Sequence, residues 1–214
     1  YYVVDNNWIK FSPELRKEEK RLSEVFIEVD NKNIDNLRRE VIAAYIDGYD
    51  ILKLVGKNLG DKTKHIRNIL RNLTSYEIIK QTSEQIIAQD FFNIGEISIK
   101  GLIRRMDIIT RSMIDDSIEG IIKKEDRYSI LYDKDTDVNR LSFLLFRAIK
   151  GSLRDSELAN KLKMGNVQLL DNWLLVVNIE KVADEAKRIS RFLRKPRLKV
   201  NEQRELIELY NKIK

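Results

Sequence analysis

The sequence predicts an α+β fold: a small mixed-sheet α/β N-terminal domain, then an antiparallel bundle of three long helices, mainly α overall. Three observations lead there. Short β-type runs alternate with amphipathic segments up to about residue 93. After Gly95 only helical periodicity remains. The 214 residues include 2 prolines and 8 glycines, and 35% are charged, a balance that favours long helices laced with salt bridges.

In chain order, residues 1–22 are mixed, with an apolar Tyr1-Tyr2-Val3-Val4 and then Ser12-Pro13-Glu14, an N-cap with proline at the first helical position. A short solvated helix is expected over the charged residues 16–21. Val25, Ile27 and Val29 alternate with Phe26 and Glu28 and predict a strand over 25–29. Asn33 or Asp35 can cap a helix that runs to about Asp47, buries Leu37, Val41, Ala44 and Tyr45, and stops at Gly48. A second strand is expected over 49–55 and a second helix over 61–73, with Ile66, Ile69, Leu70 and Leu73 at helical spacing. Glu77-Ile78-Ile79 and Gln85-Ile86-Ile87 flank Thr82-Ser83-Glu84 and read as a hairpin.

The first bundle helix carries Leu102, Met106, Ile109 and Met113 at 4-3-4 spacing, so one stripe faces a core. The second, over 128–153, repeats this with Val138, Leu141, Leu145 and Ala148. The third carries Val167, Leu170, Leu174 and Val177, then Val182, Ala186, Ile189 and Leu193, and Pro196 ends it. Residues 201–214 begin a fourth helix. The expected organisation is an α/β domain over 1–93, the bundle over 94–196, and the start of a further helix over 197–214.

Composition excludes several chemistries. The chain has no cysteine and one histidine, His65, so disulfides, thiolate sites, cysteine nucleophiles and histidine-rich zinc sites are out. There is no glycine-rich phosphate loop and no nucleophile paired with a base, so no residue is expected to be catalytic or to bind an organic cofactor, and the protein reads as a non-enzyme. Apolar runs such as Trp173 to Val177 are far shorter than the roughly 20 residues that cross a bilayer. A cytoplasmic protein is the expectation. The net charge of +6 permits contact with nucleic acid or an anionic surface. The lack of cysteine with abundant Ile, Lys, Glu and Arg fits a thermophilic source. With no starting methionine and a last helix that stops mid-pattern, the chain reads as a fragment.

The residues that carry chemistry are Glu180 and Asp184, one turn apart on one helix face. Stacked carboxylates repel, so a metal ion, a cation from the protein or exposure to water must relieve them. Arg104, Arg105 and Lys187 are the candidate ion-pair partners. Oxygen ligands alone suit magnesium, calcium, manganese or iron better than zinc. Asp133, Asp135 and Asp137 offer a second acidic group, with solvated helix-start duty as the plainer role. His65, beside Lys64 and Arg67, reads as a surface residue, Arg104-Arg105 as a solvated or paired couple with phosphate binding as the sharper alternative, and Trp173 as core or dimer packing.

Asn178-Ile179-Glu180-Lys181-Val182-Ala183-Asp184-Glu185-Ala186 is similar to the last-helix signature of the PhoU family of phosphate-uptake regulators, a Glu-x-x-x-Asp pair followed by a small residue. Arg104-Arg105-Met106 with Met113 and Asp116, and Asp135-Thr136-Asp137-Val138-Asn139-Arg140-Leu141 leading into Phe143-Leu144-Leu145, resemble the first two helices of an archaeal branch. The segment from Arg38 to Asp50 resembles that branch's linker domain, so the resemblance spans residues 25–195. In this branch an AbrB-type DNA-binding module often precedes the PhoU part, and it would lie before residue 1. Family members with full signatures hold iron or zinc clusters through carboxylate pairs on two adjacent helices. Here the second-helix ligand positions fall on Ser142 and Phe146, and only the Glu180/Asp184 half is retained.

The resemblance implies a homodimeric regulator of phosphate uptake and signalling that contacts a phosphate-transporter ATPase or a signalling kinase. Two alternatives stand beside it: a DNA-binding transcriptional regulator that uses the PhoU part for dimerisation and sensing, and a metal-binding bundle holding iron, zinc, manganese or magnesium. The metal candidates are Glu180 and Asp184, then Asp135 and Asp137.

Overall fold

A computed structural model describes residues 2–5, 8–11, 22–57, 59–193 and 200–213. Strands β1 (Tyr2–Asp5) and β2 (Trp8–Phe11) pair antiparallel. β3 (Glu24–Glu28) leads into α1 (Ile34–Asp47), β4 (Ile51–Val55) into α2 (Gly60–Arg71), and β5 (Tyr76–Gln81) pairs with β6 (Gln85–Asp90). The helical part consists of α3 (Ile99–Lys123), α4 (Tyr128–Arg154), a short α5 (Ser156–Lys161) and α6 (Asn166–Leu193), and α7 (Val200–Ile213) follows. The helix expected over 16–21 falls outside the described residues. Sequence periodicity gave no sign of the β1–β2 pairing or of α5, both too short to show a period.

The four-stranded sheet has the order β3-β4-β6-β5, with β3 parallel to β4 and the other neighbours antiparallel. Alternation sets its faces. Leu52 and Leu54 of β4 and Ile86 and Ala88 of β6 are buried against Leu37, Val41 and Tyr45 of α1 and Ile66 and Leu70 of α2. Lys53 lies on the opposite face, its Nζ 5.0 Å from the Phe26 ring. α1 begins and ends as its sequence dictates: the Asn33 side chain accepts from the Asn36 amide at 2.8 Å, and Gly48 takes the left-handed conformation at φ 89°.

In the bundle, Met106 and Met113 of α3, Leu131, Val138, Leu145 and Ile149 of α4, and Leu169, Val176 and Ala183 of α6 form a second core. The expected stripe of α4 is the observed one; of the α3 stripe, Met106 and Met113 are buried and Leu102 and Ile109 partly so, the buried face being centred on Ile99, Ile103, Met106, Thr110 and Met113. The expected stripe of α6 is not the observed one: Val167, Leu170, Leu174 and Val182 are exposed, and the buried face is Leu169, Val176, Ala183, Ala186 and Ser190. Of the expected set, Ala186 is fully buried. α6 carries apolar residues on two faces, so a 3-4 spacing cannot tell which one is covered. The covered face includes small residues that let α3 and α4 approach closely, and Ser117 Oγ of α3 reaches the Ala186 carbonyl at 3.3 Å.

Because the αL geometry of Gly48 penalises a β-carbon, Gly48→Ala is expected to cost about 1 kcal/mol although nothing lies within 4 Å of that position. Urea denaturation of the two proteins measures it, and an unchanged midpoint contradicts it.

Candidate functional site

Two polar clusters stand inside this framework, both on α4. The first forms where α4 meets α6. Asp135 is 5% exposed because its position on α4 points at the bundle core beside Leu131 and Val138. The Lys187 ammonium, from α6, lies 2.6 Å from Asp135 Oδ2 and 2.8 Å from Asp184 Oδ1. Asn139, one turn along α4, donates to Asp135 Oδ2 at 3.1 Å. Glu180 stands one turn before Asp184 on α6, half-buried.

Three carboxylates and one ammonium leave an excess of negative charge, and the protonation equilibria follow from it. Burial pushes the Asp135 carboxyl up, with Lys187 opposing and Asp184 adding to the rise. Burial also raises Glu180, reinforced by the Asp184 and Asp135 charges. For Lys187 burial acts downward, but the hydrogen bonds it donates to Asp135 and Asp184 outweigh it and the ammonium is held charged above the usual lysine range.

The expected site residues therefore separate. Asp135, Asp184 and Glu180 converge around Lys187, one of the three cations considered as partners, while Arg104 and Arg105 are exposed on α3. Asp133 and Asp137 are exposed too, and Asp137 lies about 200° around α4 from Asp135. Ser142 is buried with its hydroxyl on the Asn139 carbonyl at 2.9 Å, and Phe146 packs on Trp173 with ring centroids 4.4 Å apart. This donor set does not fit a multinuclear metal cluster: the second helix supplies an aromatic ring where a ligand would stand, and an ammonium already bridges the carboxylates. Among the described residues no group of three or more His, Cys, Asp or Glu side chains is placed to hold a metal ion.

The second cluster was invisible to pattern reading. Arg147 lies in the run Leu144-Leu145-Phe146-Arg147-Ala148-Ile149 and is 3% exposed. Its Nη2 pairs with Asp90 Oδ2 at 2.5 Å, and Nη1 donates to the Tyr45 carbonyl at 2.7 Å and the Tyr49 carbonyl at 3.3 Å. The guanidinium carbon sits 4.8 Å from the Tyr45 ring centroid and 5.6 Å from that of Tyr76. Asp90 is completed on its other oxygen by Ser75 Oγ at 2.5 Å and the Phe92 amide at 3.0 Å.

α1 has no basic residue in its own last turn, so α4 supplies the cations its C-terminal carbonyls attract. Arg154 donates to the Asp47 carbonyl at 3.0 Å, and Lys150 pairs with the Asp47 carboxylate. Burial pushes the Tyr76 hydroxyl up to about 12 and Tyr45 in the same direction, so both stay protonated at neutral pH; Tyr76 donates to the Tyr49 carbonyl and Tyr45 to the Thr74 carbonyl. The signal available in the sequence was a lone arginine at a core position of an apolar helix, which must find a buried partner.

With this geometry in view, comparison with known proteins is informative. Residues 103–193, from α3 through α6, match the family model for the PhoU domain. The bundle is a PhoU domain. Neither a curated protein nor a solved structure gives a significant match. The PhoU domain thus contains both clusters' α4 residues, the Glu180/Asp184 pair and Lys187, while Tyr45, Tyr49 and Asp90 lie outside it in the α/β layer. Among the described residues no helix is long and apolar enough to cross a membrane.

Arg147→Met strands the Asp90 carboxylate in a dry site and is expected to destabilise the protein by about 3–5 kcal/mol, read by chemical denaturation; a loss under 1 kcal/mol, roughly that of an exposed pair, contradicts the assignment. Lys187→Met is expected to cost on the order of 2 kcal/mol, since its pair is partly solvated. Asp135→Asn keeps an acceptor for Lys187 and removes excess charge. An aspartate whose folded pKa is raised contributes stability that is complete below its ordinary range and lost as pH climbs through the raised value. The stability of the wild type relative to Asp135→Asn should therefore fall across that window, and a relative stability that rises instead rejects the reading.

Proposed function

We propose that this chain is a regulator of phosphate homeostasis that acts by protein–protein contact through the surface of its PhoU domain, as a homodimer in the cytoplasm. The observation that carries this reading is the uncovered face of α6. Val167, Leu170 and Leu174, 72%, 55% and 61% exposed, recur at 3-4 spacing along one side of the helix, with Leu175 beside them at 46%. Folding does not require apolar side chains there, because the opposite face of α6 already supplies the core contacts. Large aliphatic residues in one exposed row are what a helix-to-helix interface uses.

The chemistry on the rest of the domain supports contact rather than catalysis. Lys187 holds Asp135 and Asp184 and Asp90 holds the buried guanidinium, so none of these paired groups is a free acid, base or nucleophile for a substrate. A phosphate-transporter ATPase or a signalling kinase is the partner class proposed for the assembled dimer. A metal-storing role fits less well, since Lys187 bridges the carboxylates that a cation would need.

Leu170→Asp with Leu174→Asp tests the reading directly. Both positions are exposed, so helicity by circular dichroism should be retained while light scattering shows the wild-type dimer converted to monomer. Retention of the dimer in the double variant, or a wild type that is monomeric at all concentrations, refutes the contact face.

A further inference from the structure

We propose that the solvent face of α2, in the α/β layer, binds the phosphate backbone of double-stranded nucleic acid. This helix carries a row of three exposed cations that no ion pair with a described residue takes up. On α3, α5 and α6 several exposed cations are matched by carboxylates three or four residues away, Arg111 by Asp107, Lys123 by Glu119, Lys161 by Glu157 and Arg188 by Glu185, while Arg104 and Arg105 of α3 and Lys181 and Arg191 of α6 have no ion pair with a described residue. On α2, Lys64, Arg67 and Arg71 are exposed, and none of their side chains has an ion pair or hydrogen bond to a described residue.

Their 3-4 spacing puts the three on one side of the helix within an arc of about 60°. The buried face, with Ile66, Ile69 and Leu70, is turned toward the sheet. The only carboxylate on α2, Asp61, stands in its first turn, three residues before Lys64 and more than a turn from Arg67 and Arg71, and makes no ion pair with any of the three. Like charges in one row repel modestly, and folding does not call for them.

The same residues line a groove of about 650 Å³, in which Thr63 and Asn68 add neutral hydrogen-bonding groups beside Lys64, Arg67 and Arg71. Among the described residues, His65 is the one ring that lines it. This separates the possible polyanions. Single-stranded nucleic acid is held largely by stacking successive bases on several aromatic rings, and this groove offers one imidazole, His65, too few for a run of bases. A duplex presents phosphates with its bases turned inward, and asks only for a row of cations and polar groups. From Lys64 to Arg71 the helix rises about 10 Å, which runs alongside about three phosphates of one strand at 3.4 Å each. Arginine forks match phosphate oxygens in pairs, and the lysine adds a point charge. The contacts are to backbone, so the binding is independent of base sequence. The site is separate from the α6 face and does not depend on the role proposed for it.

The full chain titrated with a fluorescent duplex of random sequence, over a series of salt concentrations, tests this. With three phosphates neutralised, the plot of log affinity against log salt should have a slope of about −2.7, an affinity loss of about 40-fold between about 50 and 200 mM salt. Lys64→Gln, Arg67→Gln and Arg71→Gln combined should remove that binding while leaving helicity and the thermal midpoint unchanged, since all three side chains are exposed. No duplex binding by the wild type at low salt overturns the proposal, and so does binding whose slope is the same in the triple variant. Polyglutamate that competes as well as the duplex at equal charge also overturns it, because the face would then be one for acidic protein.

Discussion

The structure depends most on one buried cation, Arg147. Three elements from the α/β layer meet at its guanidinium: the end of α1 through the Tyr45 and Tyr49 carbonyls, the end of β6 through Asp90, and the start of β5 through the Tyr76 ring. An arginine suits this place where a lysine would not, because its planar fork meets a carbonyl and a carboxylate at once and its face lies against Tyr45. Gly48 is the complementary requirement, since its left-handed turn brings the Tyr45 and Tyr49 carbonyls to the same side. Phe143, one turn earlier on α4, packs on the first core, and Lys150 and Arg154 continue the contact to Asp47. α4 therefore belongs to both cores, and a change in either is felt through it.

The lysine-centred cluster, whose α4 members Asp135 and Asn139 lie about two to three turns from Arg147, has a different character. Arg147 is matched by one carboxylate in a dry site, whereas Lys187 is outnumbered by the carboxylates around it and stands at the partly solvated edge of the bundle. The first arrangement sets geometry. The second keeps charge in excess, which is why burial raises Asp135 and Glu180 even beside an ammonium. In this PhoU domain the Asp184 half of the Glu-x-x-x-Asp pair is thus joined to an internal cation, which it shares with Asp135 of α4 instead of with a ligand at the positions of Ser142 and Phe146.

Most of the fold was legible in the sequence, for local reasons. α1 could be bounded from Asn33 and Gly48 because both act through their own backbone neighbours, and the β5–β6 hairpin followed from two β-branched runs about a polar turn. The α6 face was misread because Val167, Leu170 and Leu174 carry more apolar surface than Ala183, Ala186 and Ser190, and spacing records a stripe without recording what covers it. Of the site, the Glu180/Asp184 pair and Lys187 were readable, being one turn apart on one helix. Asp135 was noted only as one of three aspartates, since its burial depends on α6, distant in sequence. Arg147 was missed because its partners at positions 45, 49 and 90 are joined to it only by the tertiary fold.

Hydrogen exchange under native conditions tests most directly whether α4 holds the two cores as one unit. Amides of Leu54 and Ile86 in the sheet and of Leu145 and Val176 in the bundle should open with the same free energy, equal to that of global unfolding. Sheet amides that open several kcal/mol below the bundle amides in the wild-type protein, as an independent unit, would contradict that role for Arg147.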